Sequence, residues 1–386
     1  MIFRTNEPSS PSTEVVIDGV DIYENSIVRV RLDLEVNHHD MAVVTLAGVP
    51  GALVTDYLDR GIRIKCYQGD DGHSFYGYVV SVEPEYTTTG GVIGGYTIQK
   101  LNLVCLGASR VMSNKENNVW QAVTLEQVVK DLATKYKFTF SVPTTGVTLP
   151  RLVQASETDW SLLTKVCELH GLHFSVHGTH IHVWDPTKSI SRQISYHAML
   201  NVHARGAAEM NLPGSILELN GEFGDPFKKS NFKSLYSLNE QGNFYSDTYQ
   251  RPDSEFGQRY GETGTDVLNS NASTLELAEA IVRGQSRARD VFMLNVSTIG
   301  IAGVNPGGVV RVGDFSSKFD GLWYVQSVCQ TITHDRMLTE ARLVSDAIKD
   351  SSKTVYPVST YVEPVPPVLI NSVWQSTYPM EEMYAL

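Results

Sequence analysis

Three histidines, at positions 177, 180 and 182, come nearest in type and spacing to a chemical site. Gly178 and Thr179 predict a two-residue turn that would place His177 opposite His180 across a β-hairpin. Imidazoles on one face of a hairpin could bind Zn²⁺ or Ni²⁺. No Cys, Asp or Glu at nearby spacing completes a ligand set, so we expect these histidines to face solvent or a neighbouring subunit. Metal binding is the alternative.

Sequence motifs of enzymes are absent. There is no HExxH motif, phosphate-binding P-loop, Gly-x-Ser-x-Gly elbow or paired CxxC. Glu157 with Asp159, and Glu381 with Glu382, could act as the two carboxylates of a glycosidase. Helix capping explains the first pair, and the second lies in a C-terminal segment without regular structure. The sequence therefore predicts no catalytic residue, no bound cofactor and no enzyme.

The hairpin follows a helix whose ends can be read from the sequence. Ser156 and Asp159 have the spacing of a capping box, and Gly171 is typical of the residue after a helix. They predict a helix over about residues 157–170, with one apolar side. After Gly171 the apolar residues alternate, which predicts a hairpin whose buried face carries Phe174, Val176, Ile181 and Val183.

Composition limits the class of protein. The chain has 386 residues, 42% hydrophobic and 19% charged, with a net charge of -12. This acidity argues against a general nucleic-acid binder, which needs clustered basic residues. No apolar stretch is long enough to span a membrane, and no secretory leader is recognisable. Strand parity predicts that Cys66, Cys105 and Cys329 are buried free thiols, as in a reducing cytoplasm.

A strand pattern occurs twice. The segments RGIRIKCYQG, HSFYGYVVSVEPEYTTT and YTIQKLNLV are echoed in order by GGVVRVGDF, KFDGLWYVQSVCQTITHD and MLTEARLV. Ser81 matches Ser327 at a spacing of 246 residues. Any two β-meanders share some likeness, but the repeated glycines favour a duplication. We predict two small antiparallel barrels or sandwiches, and in the second copy one buried face formed by Trp323, Val325, Ser327 and Cys329.

The remaining segments complete the predicted domain organisation. Thr124 with Gln127, and Ser273 with Glu276, have the spacing of capping boxes for two further helices. We predict a first barrel over residues 1–115, a small α+β domain over 116–190, a second barrel over 191–348 with an insertion at about 223–271, and an arm over 349–386. The arm is rich in proline and aromatic residues, so we expect it to bind a partner through Tyr356, Tyr361, Trp374, Tyr378 and Tyr384.

Three blocks resemble the baseplate hub family of tailed phages, also called late control D proteins, whose fold is shared by the N-terminal part of the type VI secretion spike VgrG. The most specific block is QASETDWSLLTKVCELHGLHFSV. The others are NPGGVVRVGDFSSKFDGLWYVQSVCQTITHDRMLTEARLV, with His334 at the expected place, and the front segment RGIRIKCYQG followed by FYGYVVSV. The resemblance covers about residues 30–344.

The resemblance implies a β-rich α+β fold: two tail-tube-like antiparallel β-barrel domains separated by a small α+β domain, with an extended C-terminal arm. It implies a homotrimer that adapts a sixfold tail tube to a threefold spike and surrounds the DNA exit channel. The implied partners are a tail tube or distal tube protein, a separate central spike, baseplate wedge components and passing DNA, in a virion assembled in the bacterial cytoplasm. The alternatives are a type VI secretion-like spike hub, and a peptidoglycan-acting enzyme or glycan-binding module.

Overall fold

The structure is a computed structural model. It describes residues 11–48, 55–68, 71–88, 96–186, 199–201, 216–223, 231–238, 244–250, 265–269, 292–300, 304–313 and 321–345. The predicted helix after Ser273 and the arm, with Tyr356, Tyr361, Trp374, Tyr378 and Tyr384, lie outside these residues.

Strands dominate the described chain, and two α-helices interrupt them. The helices are α1 (Leu125–Tyr136) and α2 (Asp159–Leu169). The strands before α1 are β1 (Ser12–Ile17), β2 (Val20–Asp21), β3 (Ile27–Glu35), β4 (Met41–Ala47), β5 (Gly61–Gln68), β6 (Asp71–Thr88), β7 (Tyr96–Gly107) and β8 (Lys115–Thr124). Those after it are β9 (Thr139–Ser141), β10 (Thr148–Thr158), β11 (His173–His177), β12 (His180–Trp184), β13 (Met199–Asn201), β14 (Ile216–Phe223), β15 (Asn231–Leu238), β16 (Phe244–Gln250), β17 (Thr265–Asn269), β18 (Phe292–Ile299), β19 (Val309–Gly313), β20 (Gly321–Thr333) and β21 (Met337–Ser345).

One large curled sheet contains thirteen strands. Its order is β14-β18-β21-β20-β3-β4-β7-β6-β5-β1-β2, with β19 also on β20 and β13 on β19. All of its pairs are antiparallel except β13 with β19. One buried cluster lies under β1 and β3 to β7, and a second lies under β18 to β21. The fold is therefore β-rich with few helices, and pairing of β3 with β20 joins its two halves.

The predicted duplication appears in the strand pairing. In the first half β3, β4, β7, β6 and β5 are neighbours in that order, and in the second half β14, β18, β21, β20 and β19 are. Ser81 pairs with Val104, and its counterpart Ser327 pairs with Arg342. A register shift follows Val79 in β6 and the matching Val325 in β20. The 246-residue spacing predicted from Ser81 and Ser327 is thus a correspondence of register as well as of sequence.

The register shift after Val325 is a β-bulge in β20, and it makes one sequence prediction wrong. An extra residue in a strand reverses which face the following side chains occupy. Trp323 and Val325 are buried as predicted, but beyond the shift Val328 is buried whereas Ser327 and Cys329 are only half-buried. Cys329 is therefore not a fully buried thiol, whereas Cys66, Cys105 and Cys167 are buried and free.

The segment from β8 to β12 has a core of its own. The helices α1 and α2 pack with the β8–β10 pair and with the three-stranded sheet β11-β12-β9 around a buried cluster that includes Leu125, Leu163 and Phe174. Thr124 caps α1, and its Oγ1 accepts a hydrogen bond of 3.3 Å from the Gln127 backbone N–H, as predicted.

The start of α2 differs from the prediction. The N-cap is Thr158, whose Oγ1 accepts a hydrogen bond of 3.0 Å from the Ser161 backbone N–H. Ser156, the predicted cap, instead lies in β10 at a left-handed φ of 54°, where the register shifts between Ala155 and Glu157. This bulge lengthens the strand and moves the helix start to Asp159. Gly171, with φ 62°, follows the helix end as predicted.

Within the predicted insertion at about residues 223–271, β15, β16 and β17 form a separate three-stranded sheet. β15 pairs antiparallel with β16 and parallel with β17.

Candidate functional site

The histidine hairpin has the register that its turn predicts. His177 pairs with His180, and Ser175 pairs with His182. The opposite face is buried in the core of the α+β segment, with Phe174 and Ile181 among its members. The polar face does not simply point into solvent, because Asp40 just before β4 and Tyr324 of β20 contact its two ends. The hairpin thereby contacts both copies of the repeat.

At one end of β11, the ionic end, an imidazole lies against a carboxylate. His177 Nδ1 lies 3.2 Å from Asp40 Oδ2, just before β4 in the first copy. Burial alone lowers the pKa of His177, but the hydrogen bond and charge of Asp40 outweigh it and raise that pKa above its ordinary value. His73 on β6 is buried nearby, and burial together with the charge of His177 lowers its pKa to about 4.

At the other end of β11 the contact is a neutral hydrogen-bond chain. Trp184 Nε1 donates a hydrogen bond of 3.2 Å to the Tyr324 hydroxyl of β20, which lies 2.6 Å from His173 Nδ1. A hydroxyl that accepts from tryptophan can give its own proton to a neutral imidazole nitrogen. Burial lowers the pKa of His173 to about 4, although Asp185 opposes the shift. His173 is therefore uncharged at neutral pH.

His180 and His182 are held by hydroxyl groups of β9. His180 Nδ1 lies 2.8 Å from Thr139 Oγ1, and Ser141 Oγ lies 3.0 Å from His180 Nε2 and 2.5 Å from His182 Nδ1. Partial removal from water by the surrounding strands lowers the pKa of both imidazoles, although the His182 side chain stays largely accessible to solvent. In the part of the chain that the structure describes, no group of three or more His, Cys, Asp or Glu side chains is placed to hold a metal ion.

Backbone contacts fix the hairpin to the turn between β3 and β4. The Asn37 backbone N–H donates to the Phe174 carbonyl, and the Phe174 N–H donates to Asn37 Oδ1, both at 2.9 Å. Asn37 adopts a left-handed φ of 61°, which asparagine tolerates better than most residues. Sequence reasoning missed Asn37, Asp40 and Tyr324, because each lies more than 130 positions from its partner on the hairpin and nothing in local spacing connects them.

A cleft of about 520 Å³ opens beside the hairpin. Its walls carry carboxylates and imidazoles from β3, from the turn after it and from the hairpin, together with Asn305 and Pro306 before β19; the ionisable ones are Glu35, Asp40, His177, His180 and His182. A second, wider groove of about 640 Å³ crosses the polar face of the large sheet. Its acidic side chains are Asp33, Glu35, Glu218 and Glu340, and its basic ones are His38, His39 and Arg342.

Asp159 is an anchor within the α+β segment. Its side chain is fully buried and accepts hydrogen bonds from Lys135 Nζ at 2.6 Å, Tyr136 Oη at 2.5 Å and Gln154 Nε2 at 2.7 Å. Burial raises the pKa of a carboxyl, but these three donors outweigh it and hold the pKa of Asp159 below its usual value. All its partners are structural, so Asp159 joins α1, β10 and α2.

Sequence comparison gives one family. A family model described as the Alg8 N-terminal domain matches residues 66–334, which is more than two thirds of the chain. The chain belongs to this family. No curated protein matches the chain.

Three solved structures show that this member of the Alg8 N-terminal domain family has a tail-protein fold. A tail protein from Neisseria meningitidis MC58 has a TM-score of 0.62 at 16% identity, covering 88% of this chain and 98% of that one. The 43 kDa tail protein of prophage MuSo2 from Shewanella oneidensis has a TM-score of 0.60 at 16% identity, covering 88% and 100%. An E. coli protein described as a component of the type VI secretion system, with structural similarity to T4 bacteriophage tail proteins gp27 and gp5, has a TM-score of 0.54 at 10% identity, covering 87% and 77%.

Neither helix that the structure describes is long and apolar enough to cross a membrane.

Proposed function

We propose that the protein is a structural baseplate hub of a tailed phage with a contractile tail, of the late control D type. Three copies form a ring that adapts the sixfold tail tube to a threefold spike and surrounds the channel through which DNA leaves. The two halves of the repeat then correspond to two tail-tube-like barrel domains, with the α+β segment between them.

The repeat in strand order and register carries this proposal. Two equivalent units in one chain give six units in a trimer, so a threefold object can present six similar surfaces to a sixfold partner. The copies agree in strand order and in the position of the bulge after Val79 and Val325. The likeness in fold to a tail protein from Neisseria and to a prophage tail protein from Shewanella supports the same role.

The acidic groove supports passage of DNA without binding. Carboxylates repel phosphates, so a channel wall that is mostly acidic lets DNA slide past. Among the side chains that line the groove, four carboxylates stand against two histidines and one arginine.

The proposed partners are a tail tube or distal tube protein above the ring, a separate central spike below it, and wedge components of the baseplate around it. The arm, with Tyr356, Tyr361, Trp374, Tyr378 and Tyr384, is proposed to bind one of these proteins. The protein would assemble in the host bacterial cytoplasm and then reside in the virion.

The mass of the native assembly tests the proposal. Native mass spectrometry of the purified full chain should give three copies, and addition of the tube and spike proteins encoded beside it should give a complex with both. A stable monomer or dimer that binds neither protein would contradict the hub role.

A type VI secretion-like spike hub is the second candidate. The likeness to the E. coli component, and to a Francisella VgrG complex with a TM-score of 0.55 at 8% identity, favours it. Neighbouring tape-measure and spike genes would support a phage tail, and export of the protein by a living cell would support secretion.

Enzymatic turnover is the remaining alternative, because membership of the Alg8 N-terminal domain family leaves an activity open. Incubation of the trimer with purified peptidoglycan should release no soluble fragments. Release that survives further purification would support a peptidoglycan-acting enzyme, whereas retention on peptidoglycan without release would support a glycan-binding module.

A further inference from the structure

β6 in the first copy corresponds to β20 in the second copy. The two strands differ in whether a neighbouring strand pairs with the second half of their outer side. In the second copy β20 pairs on one side with β21, and on the other with β19 followed by β3. In the first copy β6 pairs on one side with β7 and on the other with β5, which reaches only Tyr78. Among the described residues no strand pairs with residues 81–88 on that second side.

β3, the strand that pairs with the second half of β20, has a counterpart in β14, which lies at the edge of the large sheet. β3 corresponds to β14, because β3 pairs with β4 as β14 pairs with β18, and both pairs have a register shift, after Ile27 and after Ile216. The residues inside these bulges, Val28 and Leu217, are both exposed apolar side chains. Of the strands that the structure describes, β14 pairs only with β18.

We propose that β14 of one copy pairs antiparallel with β6 of the next copy, as β3 pairs with β20 inside the chain. The internal register places Glu35 opposite Ser327 and Leu32 opposite Gln330. Transferred to the counterpart strands, it places residues 82–85 of one copy opposite residues 223–220 of the next. The inference deepens the proposed hub and rests on it for the number of copies in the ring.

Residue types on the face that continues the core fit this register. Val82 falls opposite Phe223 and Pro84 opposite Gly221, so no charged residue occupies the face that continues the core. The corresponding residues of the paired strands β3 and β20, including Val30 and Val328, are buried. In β6 and β14, the residues Val82, Pro84 and Leu219 are only half-buried. Pairing with a second copy would bury them as their counterparts are buried.

Within one chain β14 does not pair with β6. In the large sheet β14 and β6 are separated by seven strand positions, which is roughly 34 Å along the sheet. The contact joins two different surfaces, so repeated copies close into a ring or extend into a fibre. Glu83 and Glu85, with Pro84 between them, are residue types that discourage indiscriminate pairing of an exposed edge.

Mixed cysteine variants test the pairing directly. Full-length Glu83→Cys and Glu222→Cys proteins, each carrying Cys329→Ser, are mixed and oxidised. Directly opposed residues are close enough for a disulfide, whereas residues two positions away are about 7–8 Å apart. We expect a reducible cross-link between the two proteins, and at least about ten-fold less with Asn220→Cys in place of Glu222→Cys. Equal cross-linking in both mixtures, or none in either, would overturn the proposed register.

Charge reversal provides a second measurement that does not need a disulfide. Glu83 faces Glu222 across the proposed pair, so Glu83→Lys should lower the dissociation constant by about two- to five-fold for each contact. Glu85→Lys makes the same change in net charge opposite Asn220 and should have little effect. If both variants strengthen association equally, general charge and not this pairing governs assembly.

The outcomes separate this inference from the proposed function. A trimer that binds tube and spike proteins but gives no 83–222 cross-link overturns the pairing and leaves the hub role intact. A cross-linked assembly with another number of copies overturns the trimer and leaves the pairing intact.

Discussion

The two ends of β11 attach the same hairpin to the large sheet by opposite means. His177 contacts the carboxylate of Asp40 in the first copy, whereas His173 contacts the Tyr324 hydroxyl of the second copy as a neutral acceptor. The pKa of His177 is raised and that of His173 is lowered. One strand of five residues therefore carries two imidazoles that respond to acid in opposite directions.

This difference in pKa comes from the residues of the large sheet that contact the two imidazoles, and not from the hairpin. Burial lowers the pKa of both imidazoles, and the hydrogen bond and charge of Asp40 outweigh that effect at His177, whereas the charge of Asp185 does not outweigh it at His173. The two copies of the repeat share a strand order, but each contributes its own residue to the α+β segment. An internal duplication can thus keep its framework while its contacts diverge.

Lowering the pH should give the largest difference between the two ends of β11 in what each contributes to the unfolding free energy. His173 has a folded pKa of about 4 and an unfolded one near 6.5, so its contribution to stability is complete above pH 6.5 and is lost as pH falls toward 4. Between pH 7 and 4.5 we expect it to account for about 2 to 3 kcal/mol of lost unfolding free energy. Urea unfolding at both pH values measures this loss.

The control for that experiment is His173→Gln, which cannot titrate. Its loss between pH 7 and 4.5 should be smaller than that of the natural protein by the same 2 to 3 kcal/mol. Equal losses in the two proteins would show that His173 is not held neutral by its surroundings.

Removing the Tyr324 hydroxyl should have the next largest effect. Tyr324→Phe leaves His173 and Trp184 without the group that joins them, at a cost of about 1 to 3 kcal/mol for buried polar atoms without a partner. Tyr78 occupies the matching register position in the first copy and is only half-buried. Tyr78→Phe should cost about 0.5 kcal/mol, and thermal unfolding of both variants compares them. Equal costs would contradict a specific role for Tyr324.

Asp40→Asn should weaken the ionic end by less, about 1 kcal/mol, because His177 is half-buried. The raised pKa of His177 means that this end contributes most below the unfolded value near 6.5, and that the contribution is lost as pH rises through the folded pKa. The variant should therefore lose stability at pH 6 and little at pH 8. NMR titration of His177 should show its pKa falling, and an unchanged titration would remove Asp40 as the cause.

Local patterns in the sequence predicted the parts of this site that depend on neighbours along the chain. The Gly178–Thr179 turn sets the hairpin register, and the serines at 81 and 327 reveal the duplication. The bulge after Val325 could not be predicted, because one extra residue reverses strand parity without altering the residue types around it, and so Cys329 was misplaced.

Contacts between distant segments were beyond the sequence for a different reason. Asp40 lies just before β4 and Tyr324 lies in β20. The sequence patterns of these strands are complete without the hairpin, so neither pattern predicts a partner. Ser156 and Asp159 had a valid capping spacing, but pairing between β8 and β10 extends the strand through Thr158 and overrides it. At the start of α2 the pairing between distant strands, and not the local capping pattern, therefore decides which residue is the cap.

The smallest expected effect lies between the two ends, at Ser141. Its hydroxyl contacts both His180 and His182, but His182 is exposed and water can replace the lost contact. Ser141→Ala should therefore cost about 0.5 kcal/mol in urea unfolding and leave the titration of His173 and His177 unchanged. A loss as large as that of Tyr324→Phe would mean that β9 and not the large sheet holds the hairpin, and the contrast between its two ends would then be secondary.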